Sequence, residues 1–269
     1  MKRLSLYLLA GLAAAVIALP LLLMLMNSFK GVAEAQQGFL SLPREPGLAA
    51  WRLAWQTLSG SFGISLMLAV PAVLLSALLA ALNGFVLCKF RFRGERWVGL
   101  LLVLAFFLPI KVYLLPLAIT MARLGLDRSL ALLIAIHVIY SLPLALFFRN
   151  HFLAFPDELL QAARLDGAGF WRLLWRVVLP LSRPIFVVVL ILQFTTIWNE
   201  YLFGLVFGPE DARPITAALA QLSAQTETGA RAYPLEMAAA LLAAAPTLVV
   251  YLLAGRHFTR GLVAGAVKG

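Results

Sequence analysis

Hydrophobic positions along this chain run in long, nearly uncharged blocks rather than alternating. Six such blocks stand out: 4–26, 62–87, 97–121, 130–148, 185–207 and 237–255, together 135 residues. Each is long enough to cross about 30 Å of hydrocarbon as a helix, which needs about 20 apolar residues and satisfies every backbone polar group internally. Outer-membrane strands would alternate apolar and polar over about ten residues, and no segment reads that way. The pattern therefore predicts an all-α membrane protein with six transmembrane helices.

Composition agrees with this reading. Of 269 residues, 62% are hydrophobic and 13% charged, with a mean hydropathy of +0.93, whereas a soluble domain carries about a quarter charged residues. The net charge of +10 would suggest nucleic acid in a soluble protein. Here the basic residues sit between the blocks: 14 on the side of the N-terminus and 7 on the opposite side, with Lys111 alone inside a block. That twofold bias predicts both termini in the cytoplasm and a multi-pass protein of the cell (inner) membrane, with lipid as its surroundings and no nucleic-acid partner. Lys2 and Arg3 before an apolar run imitate a signal peptide, but the run continues for 23 residues and is expected to be a retained first span. Cys88, the single cysteine, makes no internal disulfide, and no Cys/His cluster has metal spacing.

Two loops are longer than connectors need to be. Residues 27–61 are expected to be an external segment in which Trp51 and Trp55, four apart, mark an interfacial helix or a docking site for an external partner. Residues 149–184 form a structured cytoplasmic loop. Pro156 followed by Asp157 and Glu158 starts a helix, because proline fits the first turn and the acids suit the positive end of the dipole. Leu159, Leu160, Ala162, Ala163 and Leu165 supply an apolar face interrupted by Gln161 and Arg164, and Asp166-Gly167 ends the run. A second helical stretch passes through Phe170, Trp171, Leu174 and Val178 and is expected to stop at Pro180 and Pro184.

Polar residues within the blocks are the candidates for a solute path, since each costs free energy in hydrocarbon unless it faces protein or water. The fifth block holds Gln193, Thr195, Thr196, Trp198, Asn199 and Glu200. Amides and a carboxylate suit sugar hydroxyls, and an aromatic face suits the C–H side of a sugar ring; helix–helix hydrogen bonding is the plainer use of the same groups. At helical spacing Gln193, Thr196 and Glu200 fall on one face. Lys111 lies between Pro109 and Pro116, where a broken helix would let its amine line an aqueous cavity with Tyr113, or snorkel to the interface. His137, beside Tyr140 and Pro143, reads as a packing residue.

The fourth loop resembles the E-A-A motif of permease subunits of ATP-binding-cassette importers: E-A-A, three residues, G, nine residues, I, one residue, L-P. Here it stands as Gln161-Ala162-Ala163, Gly167, and Val177-x-Leu179-Pro180. Gln161 replaces the pattern's glutamate and brings no charge for an ion pair from that position; Val177 replaces isoleucine. Trp198-Asn199-Glu200 resembles the W-N-[DE] signature of the carbohydrate branch, and Arg260–Gly269 its terminal R-G-L-x-x-G-A-V-K-G. The likeness runs from about residue 62 to 269. It is nearest to the maltose-type second permease and to glucose or mannose permeases.

What this resemblance implies is a type I importer fold with an N-terminal helix and external segment (1–57), a permease core (58–256) and a cytoplasmic tail (257–269). It further implies a second permease subunit, two ATPase subunits and an extracytoplasmic sugar-binding protein. The loop would couple to an ATPase through Asp157, Glu158, Leu160, Gln161, Ala162, Ala163, Asp166, Gly167, Leu179 and Pro180. The chain would bind no cofactor itself, ATP and Mg residing on the ATPases; it contains no G-x-x-x-x-G-K-[ST] to cradle phosphates. Two rivals are an ion-gradient-driven secondary sugar transporter and a membrane enzyme. The first is disfavoured by the absence of paired helix interruptions in two halves, the second by the scatter of His137, Lys111 and Glu200 over different segments. For the loop alone, an amphipathic hairpin lying on lipid through Arg164, Arg172 and Arg176 is the alternative.

Overall fold

A computed structural model describes the backbone of residues 2–126, 128–227 and 232–266, and the side chains among them except at 2–3, 110, 226–227 and 256–266. The terminal motif at 260–269 and the Glu227 side chain therefore lie outside the described residues. Every regular element described is helical: α1 (Lys2–Asn27), α2 (Val32–Gln37), α3 (Ala49–Lys89), α4 (Glu95–Phe107), α5 (Leu114–Arg123), α6 (Leu130–Tyr140), α7 (Ala145–Leu153), α8 (Asp157–Leu165), α9 (Phe170–Leu173), α10 (Leu179–Leu181), α11 (Arg183–Asn199), α12 (Leu202–Phe207), α13 (Ile215–Glu227) and α14 (Tyr233–Ala266). Four helical stretches are long and apolar enough to cross a membrane, six when each of two bent pairs counts as one span.

The chain divides into two compact units. One comprises residues 1–64 and 214–246, the other residues 65–213 and 247–269. In the first, α1 is exposed along its whole apolar window, as a helix facing lipid or another chain must be. The turn after it is closed by a buried lysine. Lys30 is 4% exposed, and its ammonium donates to Asn27 Oδ1 at 3.0 Å and to the Gly38 carbonyl at 2.7 Å. The cation thus meets carbonyl oxygens at the C-terminal end of α2, where the helix dipole is negative.

The expected external segment at 27–61 is helical over its last part, where residues 49–61 are the first turns of a longer helix. α3 starts at Ala49 and runs unbroken for 41 residues, about 60 Å at 1.5 Å per residue, twice the hydrocarbon thickness. Trp51 and Trp55 therefore belong to the first turns of a spanning helix, not to a separate interfacial one. Trp51 donates from Nε1 to Ser28 Oγ at 3.1 Å, which fixes it inside the protein. Only Trp55 is an exposed tryptophan of the pair.

In the second unit, α3 presents a stripe of small side chains. Ala69, Ala72, Ala77, Ala80 and Ala81 are essentially fully buried, and at Gly84 a Cβ would lie 2.6 Å from Phe148 Cβ and 2.7 Å from the Ala145 carbonyl oxygen. Lipid provides no hydrophobic drive between helices, so close backbone approach over small residues does the packing. α3 and α7 meet in this way.

The third expected span is bent rather than straight, and a second bend falls just before the fifth, at Ser182. α4 and the α5 segment meet at 92°, and the α9–α10 stretch meets α11 at 80°. The first break fits the Pro109 expectation: Leu108 and Pro109 are extended, and a 3₁₀ turn covers Ile110–Tyr113. Pro116 breaks nothing, because it is the third residue of α5, where its missing N–H has no intrahelical acceptor. The expected stops at Pro180 and Pro184 are likewise corrected. Each proline occupies the first two positions of a helix, α10 and α11, and the chain turns between them at Ser182. A π-helical turn at Leu174–Val178 precedes them. Ser182 is fully buried and closes the bend by donating its backbone N–H to the Val178 carbonyl at 3.0 Å and its hydroxyl to the same oxygen.

Candidate functional site

The hairpin at residues 154–182 follows from local chemistry. Pro156 has the extended conformation that precedes a helix, and Asp157 and Glu158 occupy the first turn of α8. Lys89 at the end of α3 donates to Asp157 Oδ1 at 2.6 Å. This hydrogen bond, with the lysine charge, holds the Asp157 carboxyl below the usual carboxylate range. The other end of α8 closes with Gly167 in the left-handed region at φ +77. The Gly167 N–H then reaches the Arg164 carbonyl at 3.0 Å and the Ala168 N–H the Ala163 carbonyl at 2.9 Å, a Schellman closure that only a residue free of a Cβ adopts without strain.

One face of the hairpin is seated in an aromatic core. Leu160, Leu173, Leu174 and Val178 are buried with Phe85, Phe148 and Phe152. Phe170 packs its ring 5.7 Å from that of Phe85 and 5.4 Å from that of Phe90, and the Arg164 guanidinium lies 5.9 Å above the Phe90 ring. α8 is thereby tied to α3, and α9 to the same rings, without depending on its own short length for rigidity. The opposite face is bare. Glu158, Gln161, Ala162 and Asp166 are exposed, Leu165 is 89% exposed and Trp171 61%. The structure thus divides the Gln161-Ala162-Ala163 motif: Gln161 and Ala162 face outward, while Ala163 packs on the core. Leu179 is half-buried and Pro180 exposed. Between hairpin and α3 lies a polar cleft of about 380 Å³ lined by Lys89, Asp157, Gln161 and Arg164 together with Cys88, Leu153, Phe155 and Leu160.

A second group forms where the third expected span breaks and where α11 ends. Lys111 is in the 3₁₀ turn and exposed, and Tyr113 ends that turn with its ring 5.7 Å from that of Tyr140. Tyr140 meets Phe203 of α12 at 5.7 Å, and buried His137 lies 6.2 Å from the same ring. Glu200 falls just past the end of α11. Its two carboxylate oxygens accept the backbone N–H groups of Leu202 at 2.9 Å and Phe203 at 2.8 Å, so it caps α12. At the other end of α12, Arg128 donates from Nε to the Gly208 carbonyl at 3.0 Å, to the Leu205 carbonyl, and to Glu210 Oε1 at 2.7 Å.

Gln193, Thr196 and Glu200 do not share one environment: Gln193 is buried, Thr196 is exposed, and Glu200, just past α11, turns its carboxylate to α12. Gln193 and Trp198 are buried, the latter stacked on Phe194 at 5.4 Å. The Thr195 and Thr196 hydroxyls donate to their own helix at the Ile191 and Leu192 carbonyls, both 2.8 Å, and Asn199 to the Thr195 carbonyl at 2.9 Å. These groups satisfy themselves locally. What the structure does assemble is Lys111, Tyr113, Tyr140 and Glu200 around α12, beside an apolar cavity of about 620 Å³ lined by both tyrosines and the walls of α4, α5 and α6. Arg128 and Tyr140 were not singled out by the sequence; an arginine flanking a span is indistinguishable there from a topology charge. No group of three or more metal-ligating side chains occurs among the described residues.

Helices long and apolar enough to cross a membrane, two bent helix pairs and a core-anchored hairpin with a bare outer face define a multi-pass helical membrane protein. The chain belongs to the family of binding-protein-dependent transport system inner membrane components, which matches residues 84–263. It is 40% identical over 189 residues to a probable ABC transporter permease of Pyrococcus horikoshii, covering 69% of this chain and 68% of that protein. It is 34% identical over 233 residues to a xylose/arabinose import permease of Haloferax volcanii, covering 78% and 75%. In fold it is similar to a chain of a bacterial ABC transporter that imports the acidic polysaccharide alginate, with a TM-score of 0.82, 20% identity and 96% of each chain covered. The chain is thus a transport component of the type I importer permease fold rather than an enzyme.

Proposed function

We propose that this chain is the sugar-translocating permease subunit of an ATP-driven importer in the inner membrane, with both termini and the 154–182 hairpin in the cytoplasm. The carrying observation is the hairpin: Leu160 and Leu173 lock it to the spans while Leu165, Ala162, Gln161 and Glu158 stand exposed beside it. An apolar side chain as exposed as Leu165 on an aqueous loop is a docking feature. Seated in a cleft of an ATPase subunit, α8 moves as one body with α3, and through the π-helical turn and the Ser182 bend it passes that motion to α11. The charge that the motif's glutamate would bring is absent at Gln161, so contact there rests on Leu165, Ala162 and the flanking Glu158 and Asp166. Asp157 serves the inner side through Lys89, and Gly167, Leu179 and Pro180 shape the return.

A sugar is supported as cargo by the relatives: the Haloferax permease is named for xylose and arabinose and the structural neighbour for alginate. Within that class, the resemblance of the fourth loop and of the stretch Trp198–Ala240 to glucose or mannose permeases favours one of those sugars. A second permease, two ATPases holding ATP and Mg, and an external binding protein complete the system, in keeping with the family's dependence on a binding protein. In this arrangement 1–57 is the first transmembrane helix with an external segment, 58–256 the permease core and 257–269 a cytoplasmic tail. Lys111, Tyr113, Asn199 and Glu200 are placed nearest the path, where two non-helical backbone segments offer polar groups in the membrane; Gln193, Thr196 and Trp198 support it from α11.

The test is co-purification of the tagged chain from membranes, identification of its partners, and an ATPase assay with binding proteins loaded with single sugars. Recovery of a second permease and an ATPase, with hydrolysis stimulated by glucose or mannose, is the expected result. Stimulation by another sugar alone overturns the glucose or mannose assignment. A chain that moves sugar alone under an ion gradient overturns the whole reading.

A further inference from the structure

At the membrane surface that carries the hairpin, a cleft of about 310 Å³ opens between the end of α3, the start of α4 and α7. Its level is fixed by Leu87, two residues before the Lys89 that pairs with Asp157. Two arginines enter it from different helices, Arg96 from α4 and Arg149 from α7, and the walls are Leu87, Val103 and Leu146. Glu95 is the only acid lining it. Neither guanidinium forms an ion pair among the described residues, where the two pairs present are Lys89–Asp157 and Arg128–Glu210. Arg149 is half-buried, and the cleft brings two cations against one acid, which leaves it a net positive charge that suits an anion. The α4 surface leading away from the cleft is bare and apolar through Trp97, Leu101 and Leu104.

We infer that this cleft is a binding site for one anionic phospholipid, its phosphate held between Arg96 and Arg149 and an acyl chain lying along Val103 and Leu104. Arginine matches phosphate geometry with paired donors, and basic pockets between spans at this depth select anionic headgroups. A soluble anion would have no use for the apolar wall that continues the basic end, whereas a phospholipid joins the two. The site is separate from the hairpin's outer face and from the Lys111–Glu200 region. A lipid seated there bridges α3, α4 and α7, the helices that frame the hairpin's anchor.

The transporter purified in mild detergent and delipidated is titrated with phosphatidylglycerol and, in parallel, phosphatidylcholine, with binding read by native mass spectrometry. One phosphatidylglycerol is expected to bind in preference to phosphatidylcholine. Arg96→Ala/Arg149→Ala weakens that binding roughly 30-fold, at about 1 kcal/mol for each basic contact. Arg96→Lys/Arg149→Lys, which keeps the charge and guards against a folding defect, retains most of it. Arg172→Ala/Arg176→Ala, on the exposed part of the hairpin, leaves it unchanged. Equal binding of the two lipids, or equal loss from the Arg172 and Arg176 variant, overturns the proposal by reducing it to general surface charge. Displacement by millimolar inorganic phosphate overturns the lipid assignment, and cross-linking of Arg149→Cys to the second permease would place a protein in the cleft instead.

Discussion

Arg128 and Glu200 grip opposite ends of the same six-residue helix. Glu200 accepts from the first backbone N–H groups of α12, and Arg128 donates to the carbonyls of Leu205 and Gly208 at its other end. A helix this short has no independent stability in water or lipid; here an anion sits at the positive end of its dipole and a cation at the negative end. Glu210 holds Arg128 from the far side at 2.7 Å. The two ionised groups thus do structural duty at the point where the fifth span is interrupted, and Phe203, in the middle of the gripped helix, carries the ring contact to Tyr140. A sugar site built here would depend on α12 being held in place.

Glu200→Ala removes both capping acceptors, at a cost of about 1 kcal/mol. The amides of residues 202–204 are then expected to exchange with solvent deuterium about fivefold faster in hydrogen-exchange mass spectrometry. Glu200→Gln keeps one acceptor oxygen and should exchange close to the wild-type rate. Loss of sugar uptake in Glu200→Gln with unchanged exchange assigns the charge to the path; unchanged uptake leaves Glu200 with the cap alone.

Leu160 and Leu165 lie in one helix with opposite duties. Leu160 is 3% exposed in the aromatic core, and Leu160→Ala is expected to cost about 2–5 kcal/mol, seen as a lower thermal midpoint of the purified transporter. Leu165→Ala removes an exposed side chain, so the midpoint should stay within about 0.5 kcal/mol of wild type. If α8 docks on an ATPase through its bare face, Leu165→Ala nonetheless reduces substrate-stimulated hydrolysis. An unaltered ATPase response in Leu165→Ala removes Leu165 from the docking surface.

The start and stop of α8 were legible because Pro156, the two acids and Gly167 act within one helical turn, and the spans because apolar length alone selects them. The 80° and 92° bends were only half legible: Pro109 marks one, but the other falls at Ser182, a buried hydroxyl between two prolines that each suit a helix start. The long α3 was missed because Trp51 and Trp55, four apart ahead of the apolar block, read as a separate interfacial helix or a docking site. The polar run of α11 misled for a related reason. Spacing places Glu200 on a face with Gln193, whereas the helix ends one residue earlier and the carboxylate turns to the next helix. Pairs such as Lys89–Asp157, 68 residues apart, are set by packing of α3 on the hairpin and leave no local trace.

The Lys89–Asp157 pair gives the hairpin a defined response to acid. The carboxyl of Asp157 is held below its usual range by the lysine, so the tie contributes fully above the unfolded carboxylate value of about 4 and fades as pH falls through the depressed folded value. Between pH 6 and 8 it is constant. The protection factors of amides 157–160, with each exchange rate divided by the intrinsic rate at that pH, are therefore expected to be flat over that range in the wild type. Asp157→Asn at pH 7 should show the lower protection that the wild type shows only in acid. Because Asp157 is open to solvent, 0.5 M salt weakens the tie in the wild type and not in the variant. A wild-type profile that changes between pH 6 and 8 at these amides would mean another group controls the start of α8.

Two glycines of α3 predict opposite outcomes for one substitution. At Gly84 an added methyl would sit 2.6 Å from Phe148 Cβ, 2.7 Å from the Ala145 carbonyl oxygen and 2.9 Å from the Arg149 backbone nitrogen. Two of these are backbone atoms of the helical segment that faces it, so no side chain can swing aside and α3 and α7 must separate. Gly84→Ala is expected to cost about 1–3 kcal/mol as an overpacked contact, even though alanine is the better helix former by about 1 kcal/mol. At Gly63 nothing lies within 4 Å of the added methyl, and only the propensity gain remains, so Gly63→Ala should hold or raise the thermal midpoint. Because Phe148 and Phe152 belong to the core that seats Leu160, the Gly84 variant should also loosen the hairpin and lower substrate-stimulated hydrolysis together with the midpoint. A Gly84→Ala transporter of wild-type stability and coupling would show that α3 and α7 are not held at this distance in the membrane.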